Sequence, residues 1–286
     1  VLGVILAPPE RSTPAIHGTE LRPRILARVA SLRAGLRLFA IALIILILVI
    51  CWLLRIPARL FGARAAVRLR ERQMSAFARA TLAVMRVQVE RSGTPPPRPF
   101  LLVANHLSYL DMLVFWTQMR CSFLAKAEVV RWPLLGPLTR AAGTLYLDRA
   151  RRADLVPTLD AVRARLALGE GIVVFPEGTS SPGTTVLPFR SSLFEAAVAT
   201  SGSVSLAAIS YDTDDPARPA HQHVAWWGDM QFAAHFWNLL KLPRFSARVH
   251  FGEQPVTGAE RKTLSRDAHA ALLEIFEPTA PCPAAS

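Results

Sequence analysis

Cysteine is scarce, with three in 286 residues: Cys51, Cys121 and Cys282. Scattered and odd in number, they give no disulfide framework and no zinc spacing, which suits a reducing, cytoplasmic environment. His221 and His223 have no cysteine or acidic partner at ligand spacing, so a solvated loop is expected there and no metal is predicted. Acidic residues are few, 21 against 33 Lys and Arg, and 30 of those 33 are Arg. The chain also lacks a Gly-x-Ser-x-Gly segment or any other nucleophile signature, which argues against a covalent enzyme intermediate.

Apolar residues are abundant. The hydrophobic fraction is 51% and the mean hydropathy +0.29, values that point to a membrane. The net charge of +12 is unevenly placed: residues 1–99 hold 16 Lys and Arg against 4 Asp and Glu, and residues 100–286 hold 17 of each. All the excess therefore belongs to an N-terminal anchoring part. Basic residues that flank a long apolar run suit an anionic lipid surface better than nucleic acid, so no nucleic-acid partner is expected.

Residues 1–20, with Pro8, Pro9 and Pro14, read as a disordered N-terminus. A secretory signal is not expected, because the apolar run comes late and ends in arginines. That run, Leu38 to Leu54, is seventeen uncharged residues between Arg37 and Arg55. It lies at the lower edge of bilayer-spanning length. Five arginines precede it and six follow, which gives no orientation, and both a full span and a dip into one leaflet fit. A second helix is expected from about Ala63 to Glu90. Arg64, Arg68, Arg72, Arg79 and Arg86 fall within about 40° on its circumference. Val67, Met74, Phe77, Thr81, Val84 and Met85 share a different face. The pattern reads as a helix lying in the membrane interface; a helix packed on the domain shows the same one. Residues 21–90 are thus read as membrane-docking helices, 91–99 as a stiff Pro-rich linker, and 100–286 as the catalytic domain.

Within that domain, short apolar runs alternate with helical spacing. Strands are expected at residues 100–104, 122–126, 143–149, 171–175, 204–211 and 247–251, with helices after residue 108 and at 153–168 and 193–200. Such alternation indicates an α/β fold with a mainly parallel sheet covered by helices. At the end of the first strand stands Asn105-His106-Leu107-Ser108-Tyr109-Leu110-Asp111. His106 and Asp111 are about 140° apart on an ideal helix, so they meet only if His106 precedes the helix. A carboxylate that pins one ring nitrogen leaves the other to take a proton from a substrate hydroxyl. Taken alone, His-x4-Asp recurs by chance, and a helix N-terminus with an incidental histidine reads the same way.

Three strand ends present polar blocks in order: Asn105-His106-x4-Asp111, Gly143-x-x-Tyr146-x-Asp148-Arg149 and Phe175-Pro176-Glu177-Gly178-Thr179. The combination resembles the glycerophospholipid acyltransferase family over roughly residues 84–256. The resemblance implies that His106 deprotonates a lysophospholipid hydroxyl, which attacks the thioester of acyl-CoA or acyl carrier protein, with Asp111 orienting the imidazole. It implies that Asn105, Asp148, Arg149, Glu177, Gly178 and Thr179 bind the acceptor. Lys126 and Arg190 are added here as further cations for the cleft, with surface charge as their alternative reading. No cofactor is implied beyond the acyl thioester, and the partners expected are the lysophospholipid acceptor, the acyl donor and membrane lipids. The expected site is the inner (cytoplasmic) membrane, with the reaction on its cytoplasmic face.

Two departures bear on the acceptor. Ser180 stands where the family commonly has Arg, and Ala207-Ala208-Ile209-Ser210-Tyr211 lacks the usual proline. One cation fewer weakens the case for 1-acyl-sn-glycerol-3-phosphate and raises that for lyso-ornithine lipid, an acceptor used by enzymes with the same blocks. Trp226, Trp227, Phe236 and Trp237 suit an acyl groove or the lipid interface, and equally plain core packing. A catalytically silent lipid-binding membrane protein is the reading from another class; it predicts a disabled motif, yet His106, Asp111, Arg149, Glu177 and Gly178 are all present.

Overall fold

A computed structural model of the chain describes residues 18–53, 62–132, 135–147 and 155–280. The expectation for residues 1–17, and the Asp148/Arg149 end of the third strand, lie outside the described residues.

The catalytic domain is built on strands that are apolar from end to end. β2 (Phe100–Ala104) and β5 (Gly171–Val174) are buried at every residue, and β3 (Cys121–Lys126) at its first four. Such runs stay in a sheet only where both faces are covered. β1 (Val87–Ser92), β4 (Leu145–Leu147), β6 (Ser203–Asp212) and β7 (Phe245–Phe251) complete the order β1-β7-β6-β2-β5-β3-β4, and the short β8 (Val256–Thr257) pairs with the start of β6. β6, β2, β5, β3 and β4 are mutually parallel; β7 runs antiparallel to β6, with β1 parallel to β7. The sheet is thus mainly parallel, and the α/β architecture agrees with the sequence pattern.

One face of the sheet carries Leu102, Ala104, Phe123, Ile209 and Val249 in a core shared with the N-terminal helices. Leu101, Val103, Ile172, Val174 and Leu206 form a second core on the other face, with Val162, Leu264 and Leu272. These last three come from α5 (Leu155–Ala167) and α9 (Arg261–Ile275); the shorter α4 (Leu135–Ala142) precedes α5 and α6 (Glu195–Val198) follows it. Neither α9 nor β1 is expected from the sequence.

The helix pair before the domain departs from expectation in an informative way. α1 (Gly18–Leu53) begins twenty residues before the apolar run, and its Ile25–Trp52 portion is long and apolar enough to cross a membrane. Ala34, Arg37, Ile41 and Leu48 are buried at spacings of three, four and seven, a single stripe against protein, while Leu26, Leu32, Leu36, Phe39, Leu46 and Ile50 are exposed. Arg37 is a clamp and not a flank. Its Nη1 donates to Leu240 O (3.0 Å) and Leu242 O (2.5 Å), and its Nη2 to Pro243 O (3.0 Å). These carbonyls lie at the C-terminal end of α8 (Phe232–Lys241), where a helix leaves acceptors unpaired and a cation is favoured.

α2 (Ala63–Met85) follows, shorter than expected because Arg86 turns left-handed at φ 57° and its N–H closes on Leu82 and Ala83 carbonyls. The residues thought to continue the helix instead form β1. Arg64, Arg68, Arg72, Arg79 and Arg86 are all exposed, as one face should be. Val67, Met74, Phe77, Thr81 and Met85, however, are buried in the protein. Each large side chain among them gains about 1.5–3 kcal/mol from burial, and here gains it against the domain. The apolar face of α2 is core, which corrects the interfacial reading of this helix; what remains outward is a row of arginines.

Candidate active site

The functional side chains gather where β2, β5 and β6, neighbours in the sheet, reach their C-terminal ends. Parallel strands bring such ends to one edge, where α/β proteins open a crevice. Val103 pairs with Val174, so the two residues after Asn105 and Pro176 stand level with each other: His106 and Glu177.

Asn105 sets the position of the turn. It is 1% exposed, its Nδ2 donates to Ile209 O (2.9 Å) and its Oδ1 accepts from Ile209 N (2.8 Å). That side chain continues the β2–β6 ladder past its last backbone pair, Ala104 with Ala207. The structure therefore spends both amide groups on the fold, and not on the cleft where the sequence put them.

His106 sits in the turn before α3 (Leu110–Gln118), as meeting Asp111 requires. Its Nδ1 lies 2.7 Å from Asp111 Oδ2. The same oxygen accepts from Leu107 N (2.7 Å) and Ser108 N (3.1 Å), while Oδ1 accepts from Tyr211 OH (2.6 Å). Asp111 is wholly buried and the His106 side chain is 24% exposed. A carboxylate that accepts on both oxygens takes the Nδ1–H of a neutral imidazole as one of its donors, so the free lone pair is at Nε2. The ring stacks on Phe175, centroids 4.4 Å apart, and Phe175 in turn stacks on Phe123.

Glu177 approaches the same turn from β5. Its Oε1 accepts from His106 N at 3.1 Å, and it also accepts a backbone bond from Leu187. Buried, with Oε2 unpartnered among the described residues and the Asp111 charge nearby, its carboxyl is pushed up to about 8, chiefly by burial. Glu177 is thus mostly neutral at pH 7 and braces the backbone of His106. Gly178 takes φ +74°, which lets its N–H close the turn on Phe175 O at 3.2 Å. Thr179 is exposed beside it. Arg190 wraps this turn from outside, its N–H on Pro176 O (2.9 Å) and its Nε on Glu177 O (3.4 Å). Lys126 ends β3, two residues beyond Leu124, which pairs with Val174, so it stands level with Pro176. His106, Asp111, Glu177, Gly178, Thr179 and Arg190 are therefore brought together, and Lys126 flanks them two strands away from β2. Asp148 and Arg149 lie outside the described residues.

Because burial raises the folded Glu177 carboxyl above its unfolded value, the stabilisation tied to its neutral form is complete below the unfolded pKa and is lost as pH rises through about 8. Glu177→Gln stays neutral and can still accept from His106 N. Its thermal midpoint is expected to fall less than that of the parent between about pH 5 and about pH 9. Parallel curves for the two proteins would show that Glu177 does not titrate in this range.

Two residues the sequence did not single out, Tyr211 and Tyr109, complete the site, and the aromatic segment it did single out packs behind them. Tyr211 on β6 contacts Asp111 from a hundred positions away, and no local spacing signals it. Tyr109, inside the turn, is buried among Trp226, Phe232 and Phe236, its hydroxyl 3.0 Å from His235 Nδ1 on α8. Trp226 N donates to Leu107 O (2.8 Å), so the aromatic segment after residue 220 buttresses the His106 turn. Trp227 bonds His221 O, within a short helix, α7 (Ala220–His223), where a loop was expected, and Trp237 lies under Lys241.

Residues 86–212, which carry this turn and its supports, match the protein-family model Acyltransferase. The 1-acyl-sn-glycerol-3-phosphate acyltransferase of Neisseria meningitidis serogroup B is 31% identical over 184 residues, covering 64% of this chain and 71% of that protein. The chain belongs to the acyltransferase family. A second relative, the lyso-ornithine lipid O-acyltransferase of Pseudomonas aeruginosa, is 33% identical over 201 residues, covering 70% of this acyltransferase and 76% of its own length. The crystal structure of the 1-acyl-sn-glycerophosphate acyltransferase from Thermotoga maritima shares the fold, with a TM-score of 0.56 and 20% identity over 88% of this chain and 97% of that one.

Proposed function

We propose that this acyltransferase transfers a fatty acyl group to the free hydroxyl of a lysolipid, with 1-acyl-sn-glycerol-3-phosphate as acceptor and phosphatidic acid as product. The observation that carries the reading is the 2.7 Å contact between His106 Nδ1 and a fully buried Asp111, at a strand end where the ring remains partly open. Nε2 takes the hydroxyl proton while the alkoxide oxygen attacks the thioester carbonyl of acyl-CoA or acyl carrier protein. Asp111 stabilises the imidazolium. The tetrahedral intermediate then collapses, the C–S bond breaks, and the departing thiolate takes the proton back from Nε2, so no covalent enzyme intermediate forms.

The acceptor headgroup is assigned to the turn after β5. Gly178 lets backbone N–H groups approach closely, Thr179 is exposed, and the Arg190 fork lies over the turn. Arg149 and Lys126 are the further cations of the proposed cleft. The N-terminal pair is the membrane-docking unit, with the exposed apolar surface of α1 in lipid and the arginine row of α2 beside headgroups, on the cytoplasmic face of the inner membrane.

One observation favours a second acceptor. Ser180 supplies no cation where the family commonly has one, and a phosphomonoester loses more from that than a zwitterionic lyso-ornithine lipid does. Offering purified enzyme both acceptors with a single acyl-thioester donor separates the two. Phosphatidic acid as the dominant product is the expected result. Acylated ornithine lipid alone would replace the first reading by the second.

A further inference from the structure

We infer that Tyr211 is a positioning residue that sets the basicity of His106 through Asp111. The inference rests on the proposed role of His106 as the base and deepens it. Asp111 divides its oxygens: Oδ2 holds the ring and two backbone N–H groups, and Oδ1 holds the tyrosine hydroxyl at 2.6 Å. With the carboxylate ionised, only the tyrosine brings a proton to that contact, so its direction is fixed. Burial and the Asp111 charge both push the Tyr211 hydroxyl well above its usual value, so it remains a donor throughout the working range.

A donor on Oδ1 draws charge away from the oxygen that faces the imidazole. The attraction between Asp111 and a protonated His106 is weaker than it would be with Oδ1 bare. The ring therefore gives up its proton at lower pH, and a larger share of enzyme holds a competent base near neutrality. Among the described residues, the titratable groups that meet the pair are Tyr109 from the turn itself, its hydroxyl 3.0 Å from His235 on α8, and Glu177 from the end of β5, which accepts from His106 N. Glu177 is half ionised only at about 8, above the acid limb of the parent, and Tyr109 is kept protonated by burial. Neither ionises across the acid limb of a rate profile, which then reports the His106–Asp111 pair as a unit.

The hydroxyl is not what places the residue. Tyr211 N donates to Thr279 Oγ1 (3.0 Å), Thr279 N to Gly183 O (2.8 Å), and β6 is paired on both sides, with Ile209 clamped by Asn105. A phenylalanine can occupy the same space.

The test is the pH dependence of kcat, with both substrates saturating, for the parent, Tyr211→Phe and a form carrying 3-fluorotyrosine at residue 211 alone. Tyr211→Phe is expected to move the acid limb up by about half to one unit. Below the limb the rate then drops roughly three- to tenfold, while KM for acceptor and donor is unchanged and the rate at high pH approaches that of the parent. The fluorinated ring, a stronger donor, is expected to move the limb down. An unshifted limb in Tyr211→Phe overturns the inference, and so does an equal loss at every pH, which is what a purely structural role produces. If Tyr211→Phe does not fold, an unshifted limb in the fluorotyrosine form overturns it. His106→Ala run beside them keeps the two levels apart: turnover in that variant overturns the base assignment itself, whereas an inactive His106→Ala with unshifted limbs removes only the role of Tyr211.

Discussion

His106→Ala is expected to lower acyl transfer by about 10²–10⁴-fold while the protein stays folded and membrane-associated. The base contributes through proton transfer in the transition state, so the loss belongs in kcat and leaves the KM for either substrate largely unmoved. The fold should survive because the variant orphans nothing of consequence. Asp111 keeps three of its four donors, Leu107 N, Ser108 N and Tyr211 OH. The backbone of residue 106 still reaches Glu177 and Ser181. The ring itself is partly exposed, and Phe175 retains Phe123 and Phe115 as neighbours. The measurement is initial-rate transfer of labelled acyl groups, with flotation on lipid vesicles as the control for membrane association. Undiminished turnover in a folded, membrane-bound variant would remove the histidine from the chemistry.

The largest expected effect on stability lies at the opposite edge of the sheet. Glu170, fully buried just before β5, pairs with Arg70 of α2, accepts from Arg165 Nη1 at 2.8 Å and from Ser122 Oγ at 2.8 Å. Arg70 reaches it across Gly143, where a Cβ would lie 2.6 Å from the guanidinium, so only glycine leaves that passage open. Burial is the main influence on Arg70 and lowers its pKa; the Glu170 charge is the main influence that opposes this. Glu170→Ala leaves Arg70 without that partner and is expected to cost about 3–5 kcal/mol, the range for breaking one side of a buried pair. Arg165, more exposed, can turn to water, so its loss adds little. Urea unfolding of parent and variant measures the difference, and Glu170→Gln should lose less because it can still accept from Ser122. A cost under about 1 kcal/mol would mean that water already reaches the cluster. Since these residues stand at the strand starts, molecules of Glu170→Ala that remain folded should transfer acyl groups at the parental rate.

Legibility in the sequence followed how local each feature is. β2, β3, β5 and β6 are readable because a strand buried on both faces is an apolar run between turns. The His106–Asp111 pair is readable for a related reason, since five positions and one turn suffice to define it. β1 is not, because it is an edge strand whose alternation, Val87 and Val89 inward, is only two residues deep and directly follows a helix. In α9 the buried stripe is Leu264, Ser265, Ala268 and Leu272, too small and too polar to stand out. Asn105 reaches β6 from the end of β2 and Tyr211 reaches Asp111 of α3 from β6, and contacts a hundred residues apart leave no local trace. The face of α2 shows a further limit. Periodicity says which side chains share a side, but not whether protein or lipid covers it.

The grip of Arg37 on the end of α8 has a consequence for how a lipid reaches the histidine. The same α8 offers His235 to Tyr109, which lies between His106 and Asp111. Apolar helix, bracing helix and the His106 turn are consequently linked in series, so the histidine is held at a set distance from α1. With α1 in lipid, as proposed, that distance is the one a lysolipid hydroxyl has to cover.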